Sequence, residues 1–175
     1  MSLLFIEIIV NIFFLLITIL FIILLLYGMY SFYAGAPFVP TNRKKLTAML
    51  ELAKLQPGEA MLDLGSGDGR IVLVAARTGA HCIGIEINPI LHLIARLRAV
   101  IKGTKNVEFK RADLWQYDLS QIDVMFLYFI SNKMDRLHKK IQAEMKPGTR
   151  IISHGFKFPN WQYLKKNDNI YLYIV

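Results

Sequence analysis

Eight residues constrain the fold of this chain most: Asp63-Leu64-Gly65-Ser66-Gly67-Asp68-Gly69-Arg70. A short apolar run, Ala60-Met61-Leu62, leads straight into them, and a run with helical spacing follows. Glycines at alternate positions let a backbone turn tightly and come close to a ligand. A strand that feeds a helix through such a loop belongs to a mainly parallel sheet, and such sheets bind ligands at the carboxyl ends of their strands.

The sequence downstream fits that unit. Runs at 60–64, 81–86, 106–110, 122–128, 149–154 and 169–174 read as strands, and helical patterns lie near 69–78, 88–102 and 132–145. This alternation predicts an α/β fold, a Rossmann-like sheet with helices on both faces. A further helix is expected from Thr41 or Asn42 to about Leu55, ended by Gln56-Pro57-Gly58. Cys82, the one cysteine, falls in a strand and reads as a small core residue. No Cys/His spacing suits a metal.

The glycine spacing narrows the ligand. A dinucleotide fingerprint requires G-x-G-x-x-G, but the third glycine comes one position early, at Gly69, and Arg70 takes its place. No Gly-Lys-Ser/Thr follows, so the P-loop is absent as well. The pattern is instead acidic-x-Gly-x-Gly-x-Gly, that of class I methyltransferases. The second strand ends in Glu86, whose carboxylate can accept from two ribose hydroxyls. The third leads to Asp113 and Leu114, an acceptor for an adenine amino group and an apolar neighbour for its ring. Each also has a plainer reading: a structural turn for the glycines, a solvated strand end for Glu86, a turn cap for Asp113, a loop brace for Asp63.

Before this domain, Leu3 to Tyr27 is almost wholly Leu, Ile, Phe and Val. About 25 helical residues reach ~37 Å, enough to cross a bilayer core of ~30 Å. Ala34-Gly35-Ala36 resembles a signal cleavage site, but the run is longer than a signal core and no Lys or Arg precedes it. Arg43, Lys44 and Lys45 follow the span, so the positive-inside rule predicts a single-pass membrane protein with its C-terminal domain in the cytoplasm. A bacterial inner membrane is the expected setting. The expected organisation is an anchor at 1–30, a connector and helix at 31–58 and a catalytic domain at 59–175. The net charge of +8 suits an anionic lipid surface, and no Lys/Arg block or motif points to nucleic acid.

Taken together, the chain resembles the small membrane-anchored lysine methyltransferases of the seven-β-strand class, whose mitochondrial relatives methylate the ATP synthase c subunit and the adenine nucleotide translocase. The glycine loop, the span, the Ala36-Pro37-Phe38-Val39-Pro40 segment and Ser153-His154-Gly155-Phe156-Lys157-Phe158-Pro159-Asn160-Trp161 carry the resemblance. It implies S-adenosyl-L-methionine as cofactor, held by Gly65, Gly67, Gly69, Glu86 and Asp113, with Asp63, Ser66, Asp68, Asn88 and Leu114 completing the candidate set. It also implies that the connector helps form the active site, so Tyr33, Pro37, Phe38 and Pro40 are expected to line a substrate pocket, with Phe129 as a further aromatic wall. The Asn-Pro-Pro-aromatic motif of several amine methyltransferases is missing, and Phe126 to Asn132 occupies its region. Tyr128, Ser131, Asn132 and His154 are the candidate catalytic residues.

The expected reaction is methyl transfer to a lysine of a membrane protein. The lysine must lose its proton, which desolvation between aromatic walls favours. A small molecule or lipid as acceptor would share every cofactor feature. A cofactor-binding scaffold without activity is a third reading, and a nicotinamide oxidoreductase is disfavoured by the glycine spacing.

Overall fold

A computed structural model describes residues 3–34, 38–129 and 133–175; at 27 and 30–34 it describes the backbone alone. The first helix, α1 (Leu3–Ala34), is apolar on every side. Its segment Leu3–Leu26 has a mean hydropathy of 3.3, and none of it is buried in the protein. This unburied segment is long and apolar enough to span a membrane.

Helix α2 (Arg43–Ala53) starts at Asn42, whose side chain accepts from the Lys45 amide at 2.9 Å. It ends where Lys54 turns left-handed, two residues before the expected stop. Leu46, Met49 and Ala53 form its buried stripe, which packs toward β5 (Arg150–His154) and β7 (Ile170–Ile174).

The sheet has seven strands in the order β3-β2-β1-β4-β5-β7-β6. Strands β1 (Ala60–Leu64), β2 (His81–Glu86), β3 (Val107–Arg111), β4 (Val124–Leu127) and β5 run parallel; β7 is antiparallel to β5. The expected strands all form, β1 and β2 with the expected bounds and the others with ends moved by one or two residues. The seventh, β6 (Lys165–Asn167), has no counterpart among the expected runs. It is a Lys-Lys-Asn edge strand with every residue exposed, so no apolar run marks it, and its lysines suit an exposed edge.

Helices α3 (Arg70–Ala75), α4 (Pro89–Ile101) and α5 (Met134–Glu144) match the expected patterns, although α3 tightens into a single 3-10 turn at Ala76–Thr78. Apolar clusters fill both faces of the sheet. One joins Met49, Val72 and Phe126, and the other joins Met125, Leu137 and Tyr173. Cys82 lies in the first, buried as expected.

Strand β1 pairs with β2 on one side and β4 on the other. The chain order reverses there, and in open α/β sheets this switch point is where the ligand crevice forms.

Candidate active site

The glycine loop leaves β1 at the switch point. The amides of Gly65 and Ser66 both donate to the Ile85 carbonyl, at 3.0 and 2.9 Å, which ties the loop to β2. Gly67 has φ +55°, and a Cβ there would lie 2.5 Å from the Phe38 ring. Gly69 has φ +76°, and its Cβ would meet Phe109 at 2.7 Å and Ala95 at 2.9 Å. Gly67 therefore admits the connector onto the loop, whereas Gly69 admits α4 and the sheet.

Glu86 ends β2 and is buried. One carboxylate oxygen accepts from the Gly67 amide at 2.9 Å, the other from the Asn88 amide at 2.8 Å. Burial pushes its pKa up; the Asn88, Gly67 and Ile87 amides pull the other way and only partly offset it. A carboxylate oxygen has two lone pairs, so acceptor capacity remains for hydroxyls in the cleft.

Asp63 is 2% exposed, and its Oδ2 has no hydrogen-bond partner. Burial, then the negative charges of Glu86 and Asp68, push its pKa up to about 8. The Ser66 hydroxyl is also buried without a partner. Buried polar atoms in proteins are nearly always satisfied, so the Asp63 oxygen marks a place where a donor or a cation belongs.

Asp68 is treated differently. Burial pushes its pKa up, but hydrogen bonds from Arg70 and Arg98 and the charges of both bring it below the usual carboxylate range. Arg70 meets it with two nitrogens, at 2.9 and 2.7 Å. Arg98 of α4 makes a second ion pair to the same carboxylate. Arg70 also donates to the Thr41 carbonyl at 3.2 Å, joining connector and loop.

These groups line one cleft, with an empty volume of about 1120 Å³ including its open side. Asp63, Gly65, Ser66, Gly67, Asp68, Glu86, Asn88, Asp113 and Leu114 all line it, as do Phe38, Pro40, Tyr128 and Phe129. Gly69 stands behind it. The Asn88 side-chain oxygen caps α4 by accepting from Ile90 and Leu91. Asp113 Oδ1 accepts from the Trp115 amide at 3.0 Å. Phe129 is buried edge-on to Trp115, with ring centres 5.9 Å apart.

His154 does not line the cleft. Its ring stacks on Tyr128 at 4.6 Å, and neither ring nitrogen has a hydrogen-bond partner. Burial, then Lys45, lowers its pKa, so the ring is neutral at pH 7. Pro37, Ser131, Asn132 and the side chain of Tyr33 lie outside the described residues. Thr41, Arg70 and Leu91 line the cleft in addition to the expected residues. For Arg70 a signal existed, an arginine where the dinucleotide fingerprint has glycine. Among the described residues no group of three His, Cys, Asp or Glu could hold a metal.

The cleft fits a nucleoside that also carries a positive charge. Glu86 and Asp113 are acceptors at adjacent strand ends, and the unpartnered Asp63 carboxyl beside the loop becomes a negative charge when a cation next to it favours loss of its proton.

Several known proteins are similar to this chain in sequence or in fold. A protein-lysine N-methyltransferase of Saccharolobus islandicus is 30% identical over 161 residues, covering 83% of this chain and 97% of its own. The human lysine N-methyltransferase of the ATP synthase c subunit is 35% identical over 126 residues, 71% of this chain; the chain spans about half of that relative's length (54%). The crystal structure of an RNA methyltransferase from Salinibacter ruber, in complex with S-adenosyl-L-homocysteine, superposes with a TM-score of 0.75 at 38% identity. It covers 78% of this chain and 93% of its own. The model of the ANTKMT methyltransferase domain matches residues 63–165, from the strand end that opens the glycine loop to the start of β6, and the chain belongs to that family.

Proposed function

We propose that this protein is an S-adenosylmethionine-dependent protein-lysine N-methyltransferase acting on a membrane protein beside its own N-terminal span. The observation that carries the membrane part is the position of Gly28. It follows the apolar segment Leu3–Leu26 by two residues and lines the same cleft as Glu86 and Asp113. An acceptor lysine at the membrane surface would then meet the cleft at its mouth.

S-adenosylmethionine, when bound, supplies an electrophilic methyl group on a sulfonium. Glu86 and Asp113 would hold its nucleoside by accepting hydrogen bonds, and Asp63 would face a positive group. Phe38, Tyr128 and Phe129 form the aromatic side of the cleft. They exclude water from the acceptor amine, which lowers its pKa, and they favour a methylated ammonium through their ring faces. His154 acts behind Tyr128 as a positioning residue, since its stacked ring fixes the tyrosine and its nitrogens do not reach the cleft. The rate then rests mainly on alignment of amine and methyl group.

The test is methyl transfer from labelled S-adenosylmethionine into membranes, followed by separate recovery of protein, lipid and RNA. Label in lysines of membrane proteins is expected. Label confined to lipid would point to a lipid acceptor. Label confined to RNA would favour the second reading, which rests on the net charge of +8 and on the Salinibacter ruber structure's own description.

A further inference from the structure

Helix α4 carries bulky apolar side chains on the side that its own fold leaves uncovered. Ala95 and Ala99 face inward and are buried. Outward stand Ile90, Leu93, Leu97, Val100 and Ile101, with exposures from 39% at Ile90 to 82% at Ile101. At roughly 3.6 residues per turn these five fall within about 100° of the helix circumference. A surface helix normally turns its large apolar residues to the core and its polar ones to water. Here small residues make the core contact and large ones face out.

Charge frames the stripe. Arg96 and Arg98 border it on either side, Lys102 and Lys105 follow its end, and α4 contains no Asp or Glu. Arg96 and Arg111, after burial, lower the pKa of His92 on the same helix, so positive potential extends along this edge. An apolar face rimmed by arginine and lysine is the pattern of a helix lying in a membrane interface. Its position agrees. Asn88 and Leu91, at the start of α4, line the same cleft as Gly28, just past the apolar segment of α1.

We propose that the outer face of α4 docks on the lipid bilayer, with Ile90, Leu93, Leu97, Val100 and Ile101 among the acyl chains and the flanking arginines and lysines on anionic headgroups. This rests on α1 being a membrane span. Docking gives the domain a second attachment and holds the cleft at a set angle to the surface. Arg98 passes that constraint to the glycine loop through Asp68. A second copy packed α4 against α4 would bring Arg96 and Arg98 of both chains together, which like charge opposes.

Spin labels on the full chain in nanodiscs test this. Leu97→Cys reports on the stripe, Leu15→Cys on the span, and Gln142→Cys, exposed on α5, on water. Cys82 is buried and stays unlabelled. In phosphatidylglycerol discs the label at 97 is expected to collide more with oxygen than with a nickel chelate, as at 15, with the reverse at 142. Pure phosphatidylcholine should leave it shallower; equal depth in both would overturn the headgroup contact. A water-like label at 97 with a lipid-like label at 15 would overturn docking and leave the span standing. Water-like labels at both would overturn the membrane reading itself. Dipolar broadening between labels at 97 would assign the face to a second copy and overturn the lipid. A Leu93→Glu variant is expected to bind S-adenosylmethionine unchanged while methylating membrane acceptors several-fold more slowly, and an unchanged rate would count against docking.

Discussion

The Glu86 carboxylate accepts the Gly67 amide at 2.9 Å, so the residue proposed to hold a ribose also braces the glycine loop. Its other oxygen takes the Asn88 amide at 2.8 Å. Glu86→Gln must turn an NH2 toward one of these two N–H groups. A hydrogen bond to a charged group contributes about 1.5–3 kcal/mol, so affinity for S-adenosylmethionine should fall by about tenfold or more. The melting temperature should fall with it. Titration calorimetry and thermal melts check both; an unchanged affinity would remove Glu86 from the site.

Gly67 and Phe38 are coupled sterically. An alanine at 67 would sit 2.5 Å from the Phe38 ring and take on a left-handed φ of +55°. The backbone penalty is about 1–2 kcal/mol, and the clash adds to it. Gly67→Ala should therefore weaken methyl-donor binding. Adding Phe38→Ala should recover the part due to the clash and leave the backbone part. Binding measured across this double-mutant cycle should be non-additive, and simple additivity would mean the two residues do not meet.

What could be read from the chain depended on how local the signal was. The apolar runs of β1, β2, β4 and β5 mark buried strands directly, and Glu86 ends one of them; Asp113 lies two residues past β3, which is only partly buried. Strand β6 has no such mark because Lys165, Lys166 and Asn167 are held by pairing with β7 and not by burial. The contacts of Thr41 with Arg70 and of Arg98 with Asp68 join positions 29 and 30 residues apart, which no periodicity reveals. The same holds for the stack of His154 on Tyr128. The sequence offered His154 as a catalytic group, and only the fold showed Tyr128 between it and the cleft side.

If His154 positions Tyr128 through ring contact, a flat apolar ring can replace it. His154→Phe should keep methyl transfer within a few-fold of the wild type. His154→Ala removes a buried aromatic partner, a loss of about 0.5–1.5 kcal/mol beyond burial, and should slow transfer further. Steady-state rates over a pH series decide this. A pH-dependent step lost in His154→Phe would show that the imidazole itself takes the proton.

Asp68 predicts sensitivity to acid. Its folded pKa lies below the ordinary value because Arg70 and Arg98 outweigh burial. A group depressed in this way contributes stability above its unfolded pKa and loses it as pH falls through the folded one. Wild-type protein should therefore melt progressively lower as pH drops from about 4 toward about 2. Asp68→Asn should be less stable at neutral pH and lose less over that window. Melts of both in the same detergent, compared as differences, isolate this group.

Asp63 predicts the opposite slope on the alkaline side. Its carboxyl is pushed from 3.8 up to about 8, so the folded protein holds a proton that the unfolded chain has released at neutral pH. Stability from this group is complete below the unfolded value and is lost as pH rises toward about 8. Glu86 is shifted in the same direction, so the informative quantity is the difference from Asp63→Asn, whose melting temperature should fall less between about pH 6 and about pH 9. A cation beside Asp63 favours its ionised form, so binding of S-adenosylmethionine near pH 7 should release a proton. Calorimetry in two buffers of different ionisation enthalpy would detect that proton in the wild type and miss it in Asp63→Asn. Binding with no proton release in the wild type would mean that Asp63 is already ionised or that the positive group sits elsewhere in the cleft.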